Sequence, residues 1–272
     1  MELSKDQLKA AEEEVRRYLP RSQQVYGFLV LRNRLRSDPL QVLVDRWPDF
    51  SVVVCKPRYD QKNDHFKDTV VFANDEAILR KILRNSSVFE WTKYLCLGTS
   101  LPNMEIVKAV ALEMNVPCHK LAVCRMMILE DASKLPSLDC QGIKLSSLDE
   151  SHEDLVNKTW KFGKNQGAVR MIHNMIANFP SCCVLDAEEN PVSWILTYPS
   201  CAIGMLYTLP EHRGKGYAKA LISCMAKRLK DRGYPVFCFI EEENQVSYKL
   251  FKGMGFTEDP SHRETWFGFN DF

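Results

Sequence analysis

The sequence lacks any apolar run long enough to cross a membrane, so its 272 residues predict a globular chain. Residues 1–20 also lack the apolar stretch of a signal peptide. They carry five acidic residues, whereas organelle transit peptides are poor in acids. We therefore expect a soluble protein without a cleaved presequence.

An excess of charge of one sign is missing as well. The chain has 36 Lys and Arg against 35 Asp and Glu, which leaves a formal charge of +1. A general binding surface for nucleic acid needs a basic excess, so this balance argues against a nucleic-acid partner unless a local basic patch is present.

Paired cysteine motifs are absent, although the chain has ten cysteines. They are scattered and form no CxxC pair, which predicts a reduced intracellular protein without a metal site. Cys182 and Cys183 are adjacent in a predicted strand, where neighbouring side chains point to opposite faces, so we interpret them as core residues.

The first half of the chain shows mixed α and β patterns. Residues 3–19 have helical spacing with Ser4 as a cap, and two further helices are predicted at 74–85 and 103–114. Short β-branched and aromatic runs predict strands at 23–31, 40–47, 50–55, 68–73 and 120–129.

A polar stretch punctuated by Pro136 follows at 130–141 and is the best linker candidate. It divides the chain into predicted domains 1–136 and 137–272. The second domain is predicted to run β-α-α-β-β-β-α-β-α-β, with its last helices at 217–231 and 244–253. The stretch "WPDFSVVVC" at 47–55 resembles "FPSCCVLD" at 179–186, a short echo that favours one architecture for both halves.

A strand, a glycine-containing turn and a helix follow one another in "TLPEHRGKGYAKALI" at 208–222. The glycines permit close approach to the main chain, and free amides at the helix start favour an anion. Residues 211–232 hold seven Lys and Arg but two acids. The stretch matches neither GxGxxG nor the GxxxxGK[ST] loop, so a plain connecting turn is the alternative to a pyrophosphate site.

The pattern R-x-x-G-x-A at Arg213, Gly216 and Ala218, the element order and "NQVSYKLFKGMGF" at 244–256 resemble the GNAT superfamily of acetyl-coenzyme A dependent N-acetyltransferases. This resemblance implies that coenzyme A contacts the strand before the turn, the turn itself and the later helix. The residues implied are Tyr207, Leu209, Arg213, Gly214, Lys215, Gly216, Tyr217, Ala218 and Asn244.

Longer stretches resemble the glycine N-acyltransferase family: "LVDRWPDFSVVVC" at 43–55, "LVNKTWKFGKN" at 155–165, "NPVSWILTY" at 190–198 and "YTLPEHRGKGY" at 207–217. The resemblance implies an α/β (mixed α+β) fold of two tandem GNAT-like domains, each a twisted, mostly antiparallel sheet flanked by helices. The first domain has no pyrophosphate loop. The implied reaction is direct attack of the amino group of glycine, or of glutamine, on the thioester of acyl-CoA, with acyl-CoA as donor substrate and no permanently bound cofactor. We expect a monomer, in mitochondria by family resemblance or in the cytosol.

The chain departs from this family at the general base. The glutamate proposed as base lies six residues before the threonine of "TLPE", a position that is Ala202 here. The proton can leave through water, the acyl or acceptor preference can differ, or the protein is a weak or inactive relative. His212 is a substitute base by its chemistry, and one of Glu241, Glu242 and Glu243 is another.

Two further roles are assigned by position. Many relatives protonate the leaving thiolate with a tyrosine at the position of Phe251. Tyr248 lies three residues earlier, on a neighbouring face of the helix, and is the candidate for this role here. Asn165, Lys164 and Arg170 are candidates for holding an acceptor carboxylate, with arginine suited to a bidentate grip.

Overall fold

A computed structural model describes residues 1–35, 40–57, 68–138, 141–164 and 166–270 of the chain. The chain forms two compact units: Met1–Arg125 together with Pro260–Phe272, and Met126–Asp259. Within the described ranges, no helix is both long and apolar enough to cross a membrane.

The first unit places a sheet between two pairs of helices. Its helices and strands, in chain order, are α1 (Lys5–Arg16), α2 (Gln23–Arg34), β1 (Leu40–Val44), β2 (Val52–Pro57), β3 (Asp68–Ala73), α3 (Glu76–Leu83), β4 (Leu95–Ser100), α4 (Leu101–Glu113) and β5 (Cys118–Ile128). Successive side chains of β2 point to opposite faces of the sheet, so each face packs with one pair of helices. Val53 and Cys55 pack with the apolar faces of α1 and α2. Val52 and Val54 point the other way and pack with α3 and α4.

One sequence prediction in this unit was wrong. Residues 23–31 are helical, as part of α2, and not a strand. Val25, Phe28, Leu29, Val30 and Leu31 are all buried, so the helix has apolar residues around most of its circumference. Such a run has no polar face to show a 3.6-residue period, and its composition resembles a buried strand.

The second unit follows the predicted order of elements. Its strands and helices are β6 (Lys144–Ser146), α5 (Glu153–Thr159), α6 (Gln166–Asn178), β7 (Ser181–Leu185), β8 (Pro191–Thr197), β9 (Ile203–Thr208), α7 (Tyr217–Asp231), β10 (Phe237–Glu241), α8 (Gln245–Gly253) and β11 (Thr257–Phe269). A short 3-10 turn at Glu150–His152 precedes α5. Strands β6, β7, β8 and β9 form an antiparallel sheet in that order.

Strands β9 and β10 are neighbours that do not pair. Each is the last strand of its sheet, since β10 continues the order β1-β2-β3-β4-β11-β5-β10, and yet the two strands are in contact. The main chain of both strands is therefore open on the facing edges, which gives a splayed arrangement.

The order α-α-β-β-β-α-β-α-β occurs twice, from α1 to β5 and from α5 to β11. This repeat confirms the predicted mixed α/β fold of two tandem GNAT-like domains. The sequence echo has a different meaning, because 47–55 leads into the second strand after its helix pair and 179–186 leads into the first. The echo thus joins strands that are not equivalent.

The compact units divide the chain at other places than the predicted domains 1–136 and 137–272. Strand β11 pairs with β4 from Glu264↔Ser100 to Phe269↔Leu95, so its last residues belong to the first unit. The first division falls within β5, between Arg125 and Met126, upstream of the polar stretch at 130–141.

Candidate functional site

A β-bulge interrupts β9 where it pairs with β8. Trp194 pairs with Tyr207 and Leu196 pairs with Gly204, so β9 has one residue more than β8 between these pairs. Met205 adopts a φ of 48° in this bulge. An extra residue in a bulge is left without a ladder partner, so the main chain at 205–206 departs from the regular β8–β9 ladder. No sequence pattern predicted this bulge.

The turn after β9 presents a run of main-chain amides. Gly214 and Gly216 have φ values of 78° and 80°, in the left-handed region that favours glycine. Gly216 is the N-cap of α7 and supplies no side chain to bond the amides of the first helical turn. Within the described part of the chain, no acceptor bonds the amides of residues 214–219. These amides and the positive end of the α7 dipole form an anion site.

The surroundings of this turn add positive charge and fix its start. Arg213, Lys215 and Lys219 are exposed around it. The Nε of Arg213 donates to the carbonyl of Thr208 at 3.1 Å, and the guanidinium lies 5.7 Å from the ring centroid of Tyr207. Tyr207 stacks in turn on Trp194, with 5.6 Å between centroids. The turn is thus anchored to the strand whose edge it continues.

The first unit has no comparable amides at the equivalent place. Only Asn74 and Asp75 separate β3 from α3. The Oδ1 of Asp75 accepts the amide of Ile78 at 2.9 Å, and Glu76 adds an acid to the first helical turn. A capped helix start with a negative charge disfavours a phosphate group.

Helix α8 carries Asn244 and Tyr248. Asn244 is exposed and is the N-cap of α8, with its Oδ1 accepting the amide of Ser247 at 3.0 Å. Tyr248 is half-buried one turn later, and Lys252 Nζ lies 5.7 Å from its ring centroid. Phe251 is buried against Phe256, with 5.1 Å between the ring centroids, so it is a core residue.

Ala202 lies in a tight turn directly before β9. Its carbonyl accepts the amide of Tyr198 at 2.8 Å, and Cys201 in the same turn has a φ of 67°. Only 1% of Ala202 is exposed. Its side chain is a methyl group, which cannot accept a proton at the position where a base was expected.

Of the candidate substitute bases, Glu241 is ion-paired and His212 lies in the turn before α7. Glu241, at the end of β10, forms an ion pair with Lys161 from the loop between α5 and α6. His212 ends the 3-10 turn Pro210–His212 that begins the anion-binding loop. The pairing of Glu241 with Lys161 links positions 80 residues apart, and no local sequence pattern indicated it.

The candidate acceptor residues lie at the start of α6 and the loop before it. Arg170 is exposed on α6, and the amide of Lys164 donates to Oδ1 of Asn157 at 2.9 Å. Asn165 lies outside the described residues. Trp160 and Phe162, in the same loop, contact each other edge to face with 5.5 Å between their ring centroids.

Comparisons with known proteins agree on one family. The model of the family described as aralkyl acyl-CoA:amino acid N-acyltransferase matches residues 2–180, and the model described as FR47-like protein matches 166–267. A glycine N-acyltransferase-like protein of Mus musculus is 31% identical, with 97% of each chain covered. The glycine N-acyltransferase of Bos taurus is 31% identical, with 95% of each chain covered.

Solved structures support the fold. An X-ray structure of a Drosophila protein matches with a TM-score of 0.79 and 18% identity, and the match covers 98% of this chain and 97% of that one. A GCN5-related N-acetyltransferase from Kribbella flavida matches with a TM-score of 0.54 and 12% identity over 91% of this chain and 93% of that one. By its sequence and its fold, the chain belongs to the glycine N-acyltransferase family and is an acyltransferase.

Proposed function

We propose that this protein transfers an acyl group from acyl-CoA to the amino group of glycine, with glutamine as the alternative acceptor. The observation that carries the proposal is the bulged edge of β9 continuing into a glycine turn whose amides have no partner in the described chain. In a member of this family, that pair of features suits a thioester and the pyrophosphate to which it is attached.

The turn binds the donor in this proposal. The pyrophosphate accepts hydrogen bonds from the amides of residues 214–219, and the pantetheine arm extends along the edge of β9 past Tyr207 and Leu209. Asn244, at the start of α8, is a further contact through its amide nitrogen. Hydrogen bonds to charged groups contribute about 1.5–3 kcal/mol each, so several of them fix the donor firmly.

The reaction takes place between β9 and β10. The thioester carbonyl accepts hydrogen bonds from the main-chain amides of Met205 and Leu206 in the bulge. These amides stabilise the oxyanion of the tetrahedral intermediate. The amine attacks the carbonyl carbon, and the carbon–sulfur bond breaks as the intermediate collapses. Tyr248 gives its hydroxyl proton to the leaving thiolate, a role that the buried Phe251 has no group to perform.

The ammonium group of the acceptor must lose a proton before it attacks. Ala202 cannot take it, and the carboxylate of Glu241 is held by Lys161. We infer that the proton leaves through water in the gap between the two strands, with His212 as the alternative base. Without a carboxylate at 202, this step limits the rate at neutral pH.

The acceptor carboxylate is assigned to the start of α6. Arg170 is the proposed cation, with Asn165 as a second polar group. Replacing Arg170 by Ala should raise the Michaelis constant for glycine and leave that for acyl-CoA unchanged. An unchanged constant for glycine would remove Arg170 from the site.

Ala202 also favours a second function, an acyl-CoA-binding relative that is weak or inactive as an enzyme. The two are separated by measuring thiol release from acetyl-, benzoyl-, medium- and long-chain acyl-CoA, with and without glycine, glutamine and other amino acids. Acceptor-dependent release supports the transferase, and coenzyme A binding without such release from any donor supports the binding protein.

Restoring the carboxylate gives a second test. Ala202→Glu should speed turnover at neutral pH, whereas Ala202→Gln, which has nearly the same shape, should not. Equal rates in the two variants would mean that the existing route for the proton is fast enough and that proton loss does not limit the rate. Cell fractionation tests the proposed mitochondrial location against the cytosol.

A further inference from the structure

Two cysteines of the second unit meet where α7 packs on its sheet. Cys182 lies on β7 and is fully buried, and Cys224 lies on α7 and is partly exposed. The thiol of Cys182 donates a hydrogen bond to the sulfur of Cys224, and the two Sγ atoms are 3.0 Å apart. A disulfide bond is about 2.0 Å long, so the two sulfurs must approach by about 1 Å to form one.

Positive charge surrounds the sulfur of Cys224. Lys227 and Arg228 follow it by three and four residues, on the neighbouring face of the same helix. The guanidinium of Arg228 is held against β7, where Nη1 donates to the carbonyl of Ser181 at 2.5 Å and to Oγ of Ser147 at 3.0 Å. A cation fixed at this place favours a thiolate on α7.

The acid strengths of the two thiols follow from this arrangement. The hydrogen bond from Cys182, aided by Arg228 and Lys227, lowers the pKa of Cys224 to about 6. The same hydrogen bond and burial raise the pKa of Cys182. Cys224 is thus the nucleophile of the pair, and Cys182 is a protonated thiol held against it.

We propose that Cys224 and Cys182 form a redox modification site, in which a peroxide oxidises Cys224 and Cys182 closes the disulfide. The thiolate of Cys224 attacks one oxygen of hydrogen peroxide, the O–O bond breaks, and the hydroxide that leaves takes up a proton to become water. The sulfenic acid so formed is attacked by the sulfur of Cys182. The S–O bond breaks, the S–S bond forms, and the hydroxide leaves as water with the proton of Cys182. Two thiols lose two electrons and one peroxide gains them.

Neighbouring cysteines provide the contrast that makes the site specific. Cys183 is also fully buried, but it points to the other face of β7, and burial raises its pKa to about 11. Cys118 is exposed on β5 in the other unit. If exposure alone governed oxidation, Cys118 would react first.

The site is separate from the proposed donor site. Cys224 lies eight residues after Gly216, about 12 Å along the helix at 1.5 Å per residue. The inference therefore does not rest on the proposed function, and it is tested without an activity assay.

The experiment treats the reduced full-length protein with stoichiometric hydrogen peroxide, alkylates the remaining thiols and maps the tryptic peptides. Cys224 falls in the peptide 220–227, and Cys182, Cys183 and Cys201 fall together in the peptide 171–213. We expect these peptides to become linked, with a mass loss of two hydrogen atoms, and Cys224 to be consumed about tenfold faster than Cys118.

Matched variants identify the partner. Cys183→Ala should keep the link, and Cys182→Ala should abolish it and leave Cys224 as a sulfenic acid that dimedone captures. A link that persists in Cys182→Ala, or a Cys224 that reacts no faster than Cys118, would overturn the proposal. If Cys182→Ala does not fold, fragment ions of the wild-type linked peptide assign the bond to Cys182, Cys183 or Cys201, and assignment to Cys183 or Cys201 would overturn the proposal equally.

Discussion

The donor site can be tested by adding one methyl group to Gly216. Its φ of 80° lies in the left-handed region, where a residue with a Cβ costs about 1–2 kcal/mol. A Cβ built at Gly216 meets no described atom of the protein within 4 Å. Gly216→Ala should therefore fold, with its free energy of unfolding lowered by about that strain.

Its effect on coenzyme A should be larger than its effect on folding. The methyl group enters the space that the amides face, and the strained backbone turns at least one amide away from the phosphate. Loss of one hydrogen bond to a charged group costs about 1.5–3 kcal/mol, which is roughly a 10- to 150-fold weaker Kd. Titration calorimetry with coenzyme A measures this ratio directly.

Gly233 is the matched control, at the other end of the same helix. Its φ is 69°, and a Cβ there also meets nothing within 4 Å. It lies about 22 Å from the turn, since α7 has 15 residues. Gly233→Ala should lose similar stability and keep the wild-type Kd. The reasoning is refuted if both variants lose affinity equally, or if Gly216→Ala binds coenzyme A as the wild type does.

Three more substitutions test single residues. Tyr248→Phe should lower kcat about 100-fold and leave the Kd of coenzyme A unchanged, because general acid catalysis contributes about 10²–10⁴-fold; an unchanged kcat would exclude it as the acid. Glu241→Gln should change kcat less than about fivefold, because the partly exposed ion pair of Glu241 with Lys161 contributes little free energy. Loss of a general base would lower kcat by about 10²–10⁴-fold instead. Burial raises the pKa of Glu264 above 4.5, opposed by the hydrogen bond from His262. The folded state thus holds this proton more tightly, and wild-type stability relative to Glu264→Gln should fall as pH rises from about 4.5 through the folded-state pKa. Urea unfolding across that range checks this, and a constant difference would contradict it.

The helices and strands of the second unit followed from the sequence because their patterns are local. Helix α7 was predicted at 217–231 and has those bounds, since its apolar spacing and the glycine before it both mark the start. Helix α2 was missed because its buried residues surround it and leave no period to detect.

The details of the site depend on contacts that no local pattern encodes. The bulge at Met205 places a residue without special conformational preference at positive φ, so tertiary pairing of β8 and β9 decides it. The ion pair of Lys161 with Glu241 and the contact of Cys182 with Cys224 join residues 80 and 42 positions apart. No local pattern pairs these residues, and the fold brings them together.

The most direct test of the account is the product itself. Incubating the protein with isotopically labelled glycine and an acyl-CoA, followed by mass spectrometry, measures N-acylglycine against the coenzyme A released. The account predicts labelled N-acylglycine in equal amount to the coenzyme A, with N-acylglutamine from glutamine as the alternative product. Tight coenzyme A binding with no acylated amino acid from any donor in the panel would contradict it.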